Sequence, residues 1–580
     1  MKKYLLFIFC FSTLFNLNSF SQATGMFCTN PIAEQVMLGA YDPASYTAST
    51  ILNLPDTISR GILQRVNHDT LKKYILKLAS FRNRNAGSDT LSAIHGYGAA
   101  RKWVYSKFQE YSAANENRLI TSYFQFNQSI CSVAVHKNVI AVLPGRDTTD
   151  KSIVIIEGHM DSRCEVLCDT SCIAEGVEDN SSGTALVMEL ARVMSKYTFN
   201  HTIVFMITTA EEQGLYGAEA FADYVQGKGI AIEAVQNNDV IGGIICGATS
   251  SPPSCPGLNN IDSMQVRLFS QGAFNSKHKQ YARFTKLEYK ENIVPFAPVV
   301  MTVSIMSPED RTGRGGDHIP FRQHNYTAIR YTSANEHGNA NVADTLYTDR
   351  QHSTRDTLGV DTNGDMVIDS FFVDFDYLAR NTVINGNAAA MAAIGPKIPD
   401  FTVTAIGLNT VVVMITAATG YAHYRFADRT TTNDWDSVYL MNGIVDTFTV
   451  NTSYTHFVSV ASVDTNGVES LFSKEILIHV PNGINELKNE PGISLLPNKP
   501  NPADESTTIS VYVENGKTYG KTFISITDIT GKEVKRIPLE LKQGMNEVLY
   551  EHGYNASGTF NYTLIIDGKA IQSRKMIFTN

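Results

Sequence analysis

The chain has 580 residues, 43% of them hydrophobic and 18% charged, with a net charge of −9. That length excludes a single small binding module, and the apolar content excludes wholesale disorder. The acidic balance offers no basic field for nucleic acid or an anionic membrane surface.

In chain order, the first 21 residues, MKKYLLFIFCFSTLFNLNSFS, combine a basic start, an apolar stretch from Tyr4 to Phe15, and small Ser19 and Ser21 just before Gln22. They read as a signal peptide, residues 1–21. The stretch is shorter than the roughly 20 apolar residues of a membrane span, and no later run approaches that length. The expectation is an exported protein without a transmembrane segment, either released or attached to the outer cell surface. Cys10 leaves with the signal. Cys28, Cys131, Cys164, Cys168, Cys172, Cys246 and Cys255 remain in a compartment that permits disulfides, an odd number that leaves at least one thiol without an intramolecular partner. Residues 22–70 form an N-terminal segment, either a pro-segment or part of the fold.

From 71 to 396, β-type runs alternate with helical ones: Ile153 to Ile156, Ala185 to Tyr197, Thr202 to Thr209, Tyr216 to Val225 and Ala234 to Val240. This predicts an α/β domain with a mostly parallel central sheet flanked by helices. Leu186, Val187, Leu190, Ala191, Met194 and Tyr197 fall on one helical face, which should pack on that sheet. Near Gly395–Pro399 the pattern changes to short alternating strands, Thr410 to Ile415, Tyr421 to Phe426, Phe457 to Val463 and Ile476 to Val480. Residues 397–481 therefore predict a small all-β sandwich, 482–492 a polar linker, and 493–580 a second small β-sandwich.

The chemistry gathers between Glu157 and Asp356. Gly158-His-Met-Asp-Ser162 ends one strand, Glu178-Asp-Asn-Ser-Ser-Gly183 leads into a helix, and Thr208-Thr-Ala-Glu-Glu-Gln213 ends the next strand. Asn237-Asn-Asp-Val240 ends a third, and His352 comes last. Strand ends are where open α/β sheets bind ligands. Several carboxylates held together there repel one another unless cations sit among them. Imidazole with carboxylate suits zinc, and two such ions about 3.5–4 Å apart can share one carboxylate and one water. The adjacent acids Glu211 and Glu212 leave the strand in different directions, so one can bind metal while the other serves as a base.

These stretches resemble the zinc aminopeptidase family that includes bacterial leucyl aminopeptidases, glutamate carboxypeptidases and glutaminyl cyclases, over roughly residues 70 to 395. The resemblance implies two zinc ions, with His159 and Asp239 on one, Glu212 and His352 on the other, and Asp179 bridging them. It implies Glu211 as catalytic base and Asp161 as the acid that orients His159. His318, in Gly316-Asp-His-Ile-Pro320, would contact substrate or intermediate. It further implies a cis peptide between Asp179 and Asn180. The implied reaction is removal of the N-terminal residue from peptides with a free N-terminus. A glutaminyl cyclase on the same scaffold is the alternative; a non-catalytic surface adhesin is the alternative of another class.

Thr455-His-Phe-Val-Ser-Val-Ala-Ser-Val-Asp-Thr-Asn-Gly-Val-Glu-Ser470 resembles the late strands of a fibronectin type III domain. Leu495-Leu-Pro-Asn-Lys-Pro-Asn-Pro502, Ile526-Thr-Asp-Ile-Thr-Gly531 and the basic-then-apolar end up to Phe578 resemble the C-terminal sorting domain of the Bacteroidetes type IX secretion system. That would make the secretion machinery a partner.

Asp361, Asn363, Asp365 and Asp369 resemble the start of a calcium loop, but Phe372 stands where a Glu is expected, so an acidic turn is the reading adopted and calcium the alternative. Cys164, Cys168 and Cys172 suggest a loop-stapling disulfide rather than a thiolate metal site, and Cys246 should pair with Cys255. His324 and His337 read as structural. The chain has no His-Glu-x-x-His, no Gly-x-Ser-x-Gly and no phosphate-cradling Gly-rich Lys loop.

Overall fold

A computed structural model describes residues 23–147, 149–247, 255, 257–272, 275–310, 315–335, 350–405, 410–430, 432–450, 456–478, 492–503, 505–514, 519–528, 532–552 and 557–579. The signal peptide, His337 and residues 482–491 of the linker lie outside these. One sheet is built from β1 (Thr24–Cys28), β2 (Ile120–Ile130), β3 (Val133–Leu143), β4 (Ile153–His159), β5 (Thr202–Thr208), β6 (Ile232–Asn238), β7 (Gln265–Phe269), β8 (Thr302–Ile305) and β9 (Ala328–Ser333). Its strand order is β1-β2-β3-β5-β4-β6-β9-β7-β8.

The expectation of a mostly parallel sheet holds at the centre and fails at the flanks. Strands β5, β4, β6 and β9 run parallel. β1, β2, β3 and β5 pair antiparallel, and β7 runs against β9. The sheet is therefore mixed, because β2 and β3 are joined by a tight hairpin and need no helical crossover.

The side chains of β4 alternate between two cores. Val154 and Ile156 enter one, Ile153 and Ile155 the other, and every residue of the strand is buried. Such double coverage is why the central strands read as unbroken apolar runs. The helices are α1 (Pro31–Met37), α2 (Pro55–Arg65), α3 (His68–Ala79), α4 (Gly96–Ala113), α5 (Ser182–Met194), α6 (Tyr216–Lys228), α7 (Lys277–Glu288), α8 (His318–Gln323) and α9 (Phe375–Ile394). Helices α2 to α5, α7 and α9 contribute to the first core; α1, α6 and α8 contribute to the second. Residues 23–70 pack on this unit: β1 extends the sheet through β2, and Ile58 and Ile62 enter the first core.

After α9, strands 400–405, 410–417 and 445–449 form one sheet and 437–442, 423–429, 456–463 and 476–478 another, closing on a shared core of Val411, Val413, Tyr424, Phe426 and Val460. The last unit repeats the plan, with Ile509, Val511, Ile524 and Leu564 in its core. Disulfides join Cys131 to Cys168, Cys164 to Cys172 and Cys246 to Cys255, and Cys28 is a buried free thiol. The last two bonds match the expectation; the pairing of Cys131 with Cys168 was not foreseen.

Candidate metal centre

Because β4, β5, β6 and β9 are parallel, their C-terminal ends open on one side of the sheet. His159 closes β4, Glu211 and Glu212 follow β5, Asp239 follows β6, and Asp179 lies just before α5. His352, later in the chain than β9, completes the set. Two sites result. Asp179 Oδ1 and Asp239 Oδ1 lie 3.2 and 3.3 Å from His159 Nε2. Asp179 Oδ2 and Glu212 Oε2 lie 3.1 and 2.9 Å from His352 Nε2. Asp179 is common to both groups, and the donor atoms of each lie within 4.8 Å of one another.

The local backbone is shaped for this convergence. The Asp179–Asn180 peptide is cis, as the resemblance implied. The Asn180 side chain donates to Asn238 O at 2.8 Å and accepts from the Gly183 N–H at 2.8 Å, tying the loop to β6 and to the start of α5. Gly183 is required there, since a Cβ would stand 2.0 Å from the Asn238 carbonyl oxygen. Ala210, Val240 and His352 all have positive φ, beside or within the groups they present. Such conformations are uncommon for residues with a Cβ and concentrate at functional sites.

His159 Nδ1 is 3.1 Å from the Asp161 carbonyl oxygen, which can only accept, so Nδ1 carries the proton and Nε2 faces the carboxylates. The Asp161 carboxylate is farther from that ring, at 3.7 Å, and instead accepts the main-chain N–H groups of Glu211 at 3.3 Å and Glu212 at 3.1 Å. Asp161 thus orients the histidine through its backbone and the two glutamates through its side chain. Glu211 Oε2 lies 3.9 Å from His159 Nε2.

Burial raises the Glu211 carboxyl well above its ordinary range, His159 opposes this, and Asp239 and Glu212 add to the rise. Burial would likewise raise Asp179, but its hydrogen bonds to His159 and His352 hold it well below the usual carboxylate range. Glu212 Oε1 is buried without a partner among the described residues. Two imidazoles and three carboxylates aimed at two points, with a buried acceptor unsatisfied, are a donor set that zinc fits.

Several residues around the site were given no role from the sequence. Arg84, fully buried, donates to the carbonyls of Met160, Leu78, Glu175 and Gly176 and to Ser181 Oγ, bracing both sides of the Asp179 loop. Asp356 accepts the N–H groups of Glu178 and Asp179. Arg163 donates to Glu212 and to His352 Nδ1. Arg330 bridges Asp239 at 3.1 Å and Asp310 at 2.7 Å. A charged residue inside the apolar strand Ala328-Ile-Arg-Tyr331 could have drawn attention to it. Glu157 lies in register with Asn237 one layer behind His159 and Asp239. Burial lifts Asp317, nearby, to about 7.

His318 is 1% exposed; its Nε2 donates to the Glu309 carbonyl and lies 3.9 Å from Asp310, so it joins the centre through Asp310 and Arg330. Asp361, Asn363, Asp365 and Asp369 stand apart in an exposed turn, where their side-chain oxygens accept N–H groups of the turn itself.

Against known proteins, residues 138–365 match the model of peptidase family M28. A probable zinc metalloprotease of Leptosphaeria maculans is 31% identical over 346 residues, covering 57% of this chain and 75% of that protein. A second, from Pyricularia oryzae, is 31% identical, covering 60% and 69%. Among solved structures, the Legionella pneumophila LapA aminopeptidase aligns with a TM-score of 0.42 at 17% identity, over 58% of this chain and 74% of that one. A Porphyromonas gingivalis glutaminyl cyclase aligns at 0.39 and 13%, over 56% and 97%. The Leptosphaeria protein is covered over three quarters of its length at 31% identity, and the family model spans residues 138–365, which include His159, Asp179, Glu211, Glu212, Asp239 and His352, so this chain belongs to peptidase family M28 and is a zinc-dependent metallopeptidase.

Proposed function

We propose that the protein is an exported di-zinc aminopeptidase that removes N-terminal residues from peptides. The observation that carries this reading is Asp179, whose two carboxylate oxygens face different imidazoles, His159 and His352. His159 and Asp239 would hold one zinc, Glu212 and His352 the other, with Asp179 between them. Bound there, the zinc pair would supply Lewis acidity toward a substrate carbonyl and acidify a water.

The chain's own groups do the rest. Glu211, whose Oε2 lies 3.9 Å from His159 Nε2, would take a proton from the attacking water and pass it to the leaving amine. Asp161 fixes Glu211 and Glu212 by their main-chain N–H groups, and Arg330 holds Asp239. His318 supports the same constellation through Asp310.

The two β-units belong to the proposal as a fibronectin type III-like module, 397–481, and a type IX sorting domain, 493–580, which with the N-terminal signal would take the protein out of the cell. The test is metal analysis of the purified mature chain with a panel of aminoacyl anilides. Two zinc ions per chain and turnover of a leucine anilide are expected. A single zinc with cyclisation of an N-terminal glutaminyl peptide would replace the proposal with a cyclase, and a metal-free, inactive chain would leave an adhesin.

A further inference from the structure

His324, which the sequence suggested was structural, lies in a second group of imidazole and carboxylates outside the metal centre. It follows α8, and its Nε2 is 2.8 Å from Asp223 Oδ1 on α6. Glu219 is one turn before Asp223 on the same face of α6. One donor atom from each of Glu219, Asp223 and His324 lies within 4.8 Å of the other two.

The orientation of the ring is the telling feature. His324 Nδ1 is 2.8 Å from the Pro320 carbonyl oxygen. A carbonyl only accepts, so Nδ1 must carry the proton, which turns Nε2 toward the two carboxylates. An imidazole whose far nitrogen donates to a backbone carbonyl is the arrangement that fixes a metal-ligating histidine in its tautomer. Nε2 facing carboxylate oxygen needs a positive charge between them, either a second proton or a cation. Glu219 decides between these on chemical grounds. A proton on Nε2 is donated to Asp223 alone and leaves the half-buried Glu219 carboxylate with only a through-space attraction to the ring, without a hydrogen bond or ion pair among the described residues. A divalent cation uses all three groups.

We propose that Glu219, Asp223 and His324 form a third divalent-cation site, of the kind that takes zinc or a similar transition metal with water in its open positions. It is independent of the di-zinc proposal, since it shares no residue with it. Its place in the fold gives it a task. Helix α6 starts directly after the Glu211–Gln213 turn, and α8 starts at His318 directly after Asp317. A cation between them pins the two helices that launch from the metal centre.

The test is equilibrium dialysis of the mature chain against Zn2+ near pH 7.5, with metal counted per chain, in four forms: wild type, Glu219→Gln, Asp223→Asn/His324→Gln, and Asp179→Asn. Glu219→Gln leaves the Asp223–His324 pair intact, so it should fold as wild type does. The expected result is one equivalent that weakens by about tenfold or more in Glu219→Gln. The same equivalent disappears in the double variant and persists in Asp179→Asn. Unchanged zinc stoichiometry and affinity in Glu219→Gln would overturn the site and leave an ion pair between His324 and Asp223. Loss of zinc confined to Asp179→Asn would overturn it equally while leaving the di-zinc reading in place.

Discussion

The carboxylate of Asp356 accepts the main-chain N–H of Asp179 at 2.9 Å, and with its other oxygen the N–H of Glu178 at 2.9 Å. Asp356 lies four residues past His352, so one carboxylate couples the loop that delivers the second histidine to the loop that delivers the shared aspartate. Asp356→Asn would replace one acceptor with a donor facing an N–H. Zinc affinity should fall by about 10- to 100-fold, the usual effect of removing a group that orients ligands, with the fold retained. Competition with a chelating dye measures this; an unchanged affinity would sink the coupling.

Glu211→Gln tests the base. The amide fills the same space and keeps the main-chain hydrogen bond to Asp161 but cannot take a proton. Zinc content should stay at the wild-type level while kcat falls by about 10²-fold or more. Wild-type turnover in this variant would remove Glu211 from that role.

Arg84→Met should be more damaging than either. The guanidinium satisfies four carbonyls and one hydroxyl in a fully buried setting. Each acceptor left without a partner costs about 1–3 kcal/mol, so a loss above about 3 kcal/mol is expected together with weaker zinc binding. Denaturant unfolding gives the first quantity and metal competition the second. A loss below about 1 kcal/mol would show that water replaces the guanidinium.

The parts legible in the sequence are those that combine burial on both faces with chemistry at strand ends. Ile153–His159, Ser182–Met194, Thr202–Thr208, Tyr216–Lys228 and Ile232–Asn238 lie within a few residues of where the apolar runs place them. The antiparallel flank was not legible. The β2–β3 hairpin turns at Cys131 and Ser132, both at positive φ, without the Asn-Gly or Asp-Gly that usually marks such a turn. The disulfide to Cys168 holds that turn instead. At the metal centre, His159, Asp179, Glu212, Asp239 and His352 stood out because carboxylates and imidazoles recur at successive strand ends. Arg84 and Asp356 did not, since their partners are main-chain groups that only folding brings within reach. His324 illustrates the same limit: its neighbours Glu219 and Asp223 lie about a hundred residues earlier in the chain.

The junction between the catalytic unit and the β-units rests on a buried carboxylate. Glu475, from the first β-unit, pairs with Arg283 on α7 at 3.1 Å and with Arg429 of its own unit. All three are almost wholly buried. Burial alone would raise the Glu475 carboxyl, but the two guanidiniums outweigh it and hold its pKa at about 2. Its folded-state pKa lies below the unfolded one, so the pair stabilises the fold fully above about pH 4.5. The contribution, about 3 kcal/mol, is lost as pH falls toward 2. Glu475→Gln should cost about 3–5 kcal/mol at neutral pH, because it strands two buried cations, and should flatten this part of the acid limb. Trp435, tilted against Phe472 with ring centroids 4.0 Å apart beside the Arg283 partner Asn433, is a fluorescence probe of the junction. Urea unfolding followed through it, in a Trp103→Phe background, should show the wild-type midpoint falling between pH 4.5 and 2.5 and the variant's midpoint falling less. Parallel pH profiles for the two would mean that Glu475 does not hold the units together.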